Sequence, residues 1–257
     1  MQITIPVQKN KTSIQGNTNS GLLKLFALLF MIIDHTGAVF FSGHMDLRVL
    51  GRIAFPLYVW CIVIGIEHTH NHWRYALRLL FAGIISQPFY MWGLNHTITE
   101  LNVMFTLFFG LLALICIKEK RYYSHIWGPV LILAISCMMR MDYGWRGILL
   151  IIALYSVREK KSAIAAVMFI FCLYWGTESM TLQKVFGIPL PNTIRFFPYG
   201  SALLRSVRKL QFFAVLALPF MVWPNNKGRY LKIPKWIEYF LYPGHLAVLA
   251  ILRHYLL

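Results

Sequence analysis

The stretch GLLKLFALLFMIIDHTGAVFF, residues 21–41, carries the first reading of the fold. Lys24, Asp34 and His35 are the only titratable residues in an otherwise apolar run, and about 20 apolar residues are enough to span a bilayer. Similar runs follow at about 47–66, 76–94, 101–117, 124–139, 143–157, 163–176, 211–224 and 237–256. Some of these are shorter than a full span and draw on flanking Tyr, Trp and Arg, which favour the membrane interface. No large polar domain, internal repeat or low-complexity tract separates them. The expectation is an all-α integral membrane protein, a polytopic helical bundle of about nine crossings (roughly eight to ten). Residues 1–20 form a polar cytoplasmic segment, and 21–257 form a single transmembrane domain.

Composition agrees. Of the 257 residues, 58% are hydrophobic and only 13% charged, against about 25% charged in soluble domains. Mean hydropathy is +0.59. This excludes an ordinary soluble enzyme, a disordered chain and a coiled coil. The formal net charge of +16 would suggest nucleic acid in a soluble protein. Here the bases cluster in short segments between apolar runs, as retention of Lys and Arg on the cytoplasmic side requires, so no nucleic-acid partner is expected. The four cysteines, Cys61, Cys116, Cys137 and Cys172, lie inside apolar runs and fit neither a zinc site nor a disulfide framework. The first run has no small-residue cleavage site after a short apolar region and reads as an uncleaved helix.

With the N-terminus inside and nine crossings, the basic groups Lys118–Arg121, Arg158–Lys161 and Lys227/Arg229/Lys232/Lys235 all fall in the cytoplasm. Residues 177–210 then lie outside despite their own bases. A tenth crossing at about 185–204 would have to accommodate Pro189, Pro191 and Pro198, and would put the 227–235 bases outside. Nine crossings, or nine with a re-entrant segment, are preferred.

Charged residues inside such runs cost about 2.5–3.5 kcal/mol each at a helix centre, so those far from a run's end are informative. Asp34 and His35 lie about 20 Å along the first helix, in its outer half. Consecutive helix positions point about 100° apart, so each needs a partner from another helix. Lys24 and His35 are three turns apart on one face, about 16 Å along it. A cation near the cytoplasmic entrance and a titratable base deep inside would suit a long anionic donor threaded inward. A snorkelling lysine and a merely hydrogen-bonded histidine fit the same geometry.

Arg48 and Arg52 share a helix face four residues apart. Arg48 reads as an interfacial anchor. Arg52 reads as a guanidinium aimed inward, to stabilise an oxyanion or to hold Asp34. Glu67 and His68, with Arg74 and Arg78, read as a polar vestibule on the cytoplasmic side. The alternation His68, His70, His72 is a weak metal signal without fixed ligands elsewhere, and no metal is expected. Further polar positions are Ser86-Gln87, Asn102/Thr106 at i,i+4, Asp142-Tyr143-Gly144, and a stripe of Glu238, Tyr242 and His245 on the last helix. Packing explains one such feature readily and five on different helices poorly.

In their order along the chain these residues resemble the TraX family, membrane proteins of conjugation related to a larger group of transmembrane acyltransferases. The resemblance runs from about Leu22 to the C-terminus. It rests on Lys24…Asp34-His35, Gly51-Arg52-Ile-Ala-Phe-Pro56, Glu67-His68-Thr with Arg74-Tyr75 and Arg78, and Ser86-Gln87. Leu101-Asn102 with Phe105-Thr106, Asp142-Tyr-Gly144, Gln211-Phe-Phe-Ala and Tyr242-Pro-Gly-His245-Leu246 complete it. The related acyltransferases carry a basic residue and a histidine in their first helix at the interval of Lys24 and His35. The resemblance implies N-acetylation of the amino terminus of processed pilin, with acetyl-CoA as donor, in the bacterial inner (cytoplasmic) membrane. On this reading His35 is the base or a transient acetyl carrier, Asp34 or Glu67 orients a partner, and Arg52 stabilises the oxyanion. Lys24, Glu67, His68, Arg74, Arg78 and Asn102 would hold the donor, and Gln87, Asp142, Tyr242 and His245 would line the pocket. The alternatives are O-acetylation of a cell-envelope glycan, and a non-catalytic pilus-assembly scaffold or transporter.

Overall fold

The computed structural model describes residues 14–190, 205–223 and 235–256, with the side chains of 235–239 excepted. Residues 1–13 of the expected N-terminal segment, residues 191–204 and the bases Lys227, Arg229 and Lys232 lie outside the described residues, as does the side chain of Glu238.

The described chain is all-α apart from four two-residue strands. Its helices are α1 (Ser20–Phe40), α2 (Met45–Gly51), α3 (Ala54–His68), α4 (His72–Leu94), α5 (Val103–Glu119), α6 (Ser124–Met138), α7 (Gly144–Ser156) and α8 (Lys161–Gly176). A 3₁₀ stretch, Leu210–Ala217, then leads into α9 (Leu218–Val222), and α10 (Lys235–Leu256) closes the chain. Each expected apolar run is helical, yet the described residues hold ten α-helices rather than nine.

Two prolines account for the irregularities. Pro56 has no N–H for the carbonyl of Arg52, so the second run breaks at Arg52-Ile53 into α2 and α3, with Pro56 in the first turn of α3 where a missing donor is tolerated. Pro219 likewise cannot donate to Val215, whose carbonyl takes the N–H of Leu218 instead, one residue closer. The eighth run is therefore 3₁₀ over eight residues before α9 begins. At the start of the disputed tenth crossing, Lys184–Val185 pairs antiparallel with Ile188–Pro189 around Phe186 and Gly187, both at positive φ. That hairpin geometry is not a helix.

Asparagines start three helices. Asn19, Asn71 and Asn102 accept the backbone N–H groups of Leu22, Arg74 and Met104, which the first helical turn would otherwise leave unpaired. The central helix is α3, buried at eleven of its fifteen positions. Among the described residues, two helical stretches, Ser20–Phe40 and Met45–His68 (α2 and α3 together), are long and apolar enough to cross a membrane. Around them, large apolar side chains face outward on α1 (Leu25, Leu29), α4 (Phe81, Ile84), α6 (Val130, Leu131) and α8 (Phe169, Ile170).

The bundle has two distinct ends. At one, Glu67 from the end of α3 meets Lys118 of α5 and Arg158 beyond α7, both at 3.5 Å. At the other lie the ends of α1 and α4, the beginnings of α2, α3, α5 and α7, and a parallel pairing of Glu100–Leu101 with Arg140–Met141.

Candidate functional site

A cavity of about 270 Å³ opens at this second end. It is lined by Asp34, His35, Arg48, Arg52, Asp142 and Tyr143, among others. Pockets that bury a whole drug-sized ligand hold roughly 300–1,000 Å³, so this cavity sits just below that range.

Asp34 is its electrostatic centre, 7% exposed. Its carboxylate receives Arg52 Nη2 at 2.5 Å and Arg48 Nη1 at 2.9 Å. Gly51 makes the approach possible, because a methyl group there would overlap the Asp34 carboxylate. The inward role expected of Arg52 toward Asp34 is seen. Arg48 is different: rather than anchoring at an interface, it caps both the carboxylate and the backbone carbonyl of Asp34. Four residues apart on one helical turn, both arginines reach the same acid.

Arg52 has five N–H donors. One goes to Asp34, Nε donates to the Arg48 carbonyl at 3.3 Å, and Nη1 reaches Gln211 Oε1 at 3.4 Å. The other two N–H groups have no acceptor among the described residues. Gln211 is presented by the 3₁₀ stretch, where its own N–H is taken by the Ser179 hydroxyl.

His35 finds its partner across the bundle. Its Nδ1 lies 3.0 Å from Nε2 of His245 on α10, with the rings nearly parallel, 13° apart, and their centroids separated by 5.2 Å. The Nδ1 of His245 sits 3.1 Å from the Leu241 carbonyl oxygen, and the fully buried Tyr242 ring stands edge-on to His245.

The opposite wall is a braced loop. Asn102 donates to the Gly83 carbonyl and to Gln87 Oε1, while Gln87 Nε2 donates to the Glu100 carbonyl. Asp142 N–H donates to Leu101, and the Thr106 hydroxyl donates to the Asp142 carbonyl. Asn102 and Thr106 are completely buried. Asn102, expected to hold the donor, is thus spent on capping α5 and fastening the loop, and Gln87 is the other half of that fastening.

Asp142 reaches the cavity, and its carboxyl has no hydrogen-bond partner among the described residues. Burial pushes that carboxyl up to about 6, with Arg52 opposing the shift and Asp34 adding to it. Tyr143 holds φ +65, which a bulky side chain adopts only under constraint. Its ring is stacked on Phe55 at 3.8 Å, and Gly147 leaves room for Phe55.

The expected site residues therefore divide. Asp34, His35, Arg52 and Asp142 line the cavity, and His245 and Tyr242 stand directly behind His35. Lys24, in the first turns of α1, and Glu67, His68, Arg74 and Arg78 belong to the other end of the bundle. There His68, Arg74 and Arg78 are exposed, and Glu67 is held between Lys118 and Arg158. Apolar Leu23, Ala27, Leu28 and Met31 of α1 occupy the distance between the two groups. Among the described residues no three His, Cys, Asp or Glu side chains gather where they could hold a metal.

Sequence reasoning missed Arg48, Tyr58, Tyr90 and His96 as lining residues. His96 is stacked on Tyr90 at 4.4 Å and pairs with Glu100. A signal existed for it, a histidine four residues before a glutamate just past a helix end, but nothing in the sequence sets that loop beside α1.

Fold and cavity together define a class: an all-α chain whose apolar helices enclose a close Asp–Arg pair beside a histidine pair. Residues 19–253 match the family described as TraX protein, and the chain belongs to that family. It is 28% identical over 254 residues to a probable fimbrial assembly protein of Dichelobacter nodosus (FimC, serogroup H1), covering 91% of this chain and 95% of the relative. No solved structure matches.

Proposed function

We propose that this protein is a membrane-embedded acetyltransferase that moves an acetyl group from acetyl-CoA to the amino terminus of a pilin-type subunit. The observation that carries the proposal is His35 at the cavity wall beside a guanidinium with unused donors. Family membership and a relative named for fimbrial assembly support the pilin context. The outward apolar side chains on several helices support a bilayer setting, since soluble monomers rarely expose contiguous apolar patches beyond a few hundred Å². With the N-terminus in the cytoplasm of a bacterial inner membrane, the cavity lies toward the outer face, where a processed pilin presents its new amine.

Acetyl-CoA supplies an activated thioester. Asp142 is placed to receive the acceptor's ammonium group, and His35 Nε2 takes the proton that the ammonium must lose before it can attack. The amine nitrogen bonds to the acetyl carbon as the carbon–sulfur bond breaks. His35 hands that first proton to the departing thiolate, then takes the second amine proton and releases it to solvent. The two spare N–H groups of Arg52 stabilise the oxygen that gains charge, and Asp34 keeps the guanidinium in place. Lys24, Arg74 and Arg78 lie at the opposite, cytoplasmic end, with Ala27, Leu28 and Met31 packed between them and the cavity, so the donor's phosphates are held there only if a path opens along α1.

Intact-mass spectrometry of pilin and of envelope glycans, from cells with and without this gene, tests the proposal. Loss of one acetyl mass from pilin alone supports it. Loss from a glycan alone moves the acceptor to a hydroxyl group, and no loss from either removes the transferase reading.

A further inference from the structure

We infer that His245 is a positioning residue that sets the tautomer of His35, so that His35 presents an unprotonated Nε2 to the cavity. The inference rests on the reading of His35 as the base.

The order of protons follows from one end of the chain of contacts. A carbonyl oxygen only accepts, so His245 Nδ1, 3.1 Å from Leu241 O, carries a proton and donates it. In a neutral imidazole the other nitrogen is then bare, so His245 Nε2 is an acceptor. It lies 3.0 Å from His35 Nδ1, which must therefore be the protonated nitrogen of His35. The remaining lone pair of His35 is on Nε2. That atom has no hydrogen-bond partner among the described residues, and His35 lines the cavity.

The other tautomer would be of little use. With the proton on Nε2, His35 would turn a donor toward the cavity and could neither take a proton from an ammonium group nor attack a thioester. It would also set two bare nitrogens, His35 Nδ1 and His245 Nε2, against each other at 3.0 Å. When His35 Nε2 accepts a proton, the imidazolium keeps its hydrogen bond to His245, so the charge is met by an acceptor already in place. Other groups near His35 are the cations Arg48 and Arg52 with Asp34 on α1 and α2, and His96 beyond α4. Among the described residues, none of them hydrogen-bonds to its ring.

The full-length protein in nanodiscs, labelled with 15N-histidine, gives the direct reading. The resonances of His35 among the nine histidines are those lost in His35→Gln. At mildly alkaline pH wild type should show His35 with Nδ1 protonated and Nε2 bare. In His245→Phe, which keeps an aromatic ring and removes the acceptor, the two tautomers should mix. Turnover should then fall about 10- to 100-fold with KM for acetyl-CoA unchanged, the range seen when a group that orients a metal-bound histidine is lost. His245→Gln, which restores an acceptor near the Nε2 position, should recover most of that loss. A wild-type His35 protonated on Nε2 overturns the inference whatever the enzyme does, as does a His245→Phe spectrum unchanged at His35. A correct tautomer without acetyl transfer instead overturns the proposed activity and leaves the tautomer assignment standing.

Discussion

Replacing Asp34 by asparagine removes one charge and almost no volume from the centre of the cavity. The Arg52 side chain, only 11% exposed, then loses its counter-ion. Breaking a buried pair from one side costs about 3–5 kcal/mol, chiefly because the remaining charge is stranded. Arg52 keeps neutral acceptors in the Arg48 carbonyl and Gln211, which places the cost near the lower end, about 3 kcal/mol. For a chain of this length that corresponds to a fall in Tm of roughly 6–12 °C. Arg48→Gln should cost below about 1 kcal/mol, since its side chain is 28% exposed and water screens it. The double variant Asp34→Asn/Arg52→Gln strands no charge on Arg52 and should melt higher than Asp34→Asn alone. Thermal unfolding of Asp34→Asn, Arg52→Gln and the double variant in nanodiscs provides the cycle. An Asp34→Asn protein melting within about 2 °C of wild type would refute a buried, mutually dependent Asp34–Arg52 pair.

Other substitutions separate scaffold from chemistry. Asn102→Ala removes the α5 cap and two side-chain hydrogen bonds, so it should cost about 2 kcal/mol or more and lower turnover by loosening the Asp142–Tyr143 wall, read by melting and kinetics together. Asp142, with its carboxyl raised to about 6, binds more protons in the folded than in the unfolded state between about pH 4 and 6; its contribution to stability is complete below that window and lost as pH rises through it. Asp142→Asn should therefore flatten the pH–stability curve across that window and raise KM for the amine acceptor. Reporter fusions active only in the cytoplasm should give signal after Lys120 and Lys161; silence at either would invert the orientation that puts the cavity toward the outer face.

The nine helical runs were legible because an unbroken apolar pattern is a local property of the chain. Their interruptions were not. Hydropathy passes smoothly through Gly51-Arg52-Ile53, and the break there comes from a proline two residues into the next helix. The 3₁₀ geometry at Leu210–Ala217 has the same kind of cause in Pro219. Asp34 and His35 stood out because a charge and an imidazole deep in an apolar helix each need a partner, and both have one. Which partner was not readable: His245 is 210 positions away in sequence, and nothing local in the sequence sets Arg48 of α2 against Asp34 of α1. Asn102 shows the opposite failure. Its type and position suited ligand binding and helix capping equally, and only its contacts with Gly83 and Gln87 decide for the scaffold.

The most direct test of the central claim is acetyl transfer by the purified full-length protein to a peptide carrying the pilin amino terminus, with acetyl-CoA as donor. Wild type should add one acetyl group to the terminal amine. His35→Gln, equally folded and inserted, should be slower by at least about 100-fold, the lower part of the range for losing general base catalysis. A His35→Gln protein that keeps more than about a tenth of wild-type turnover would contradict the assignment of His35 as the base.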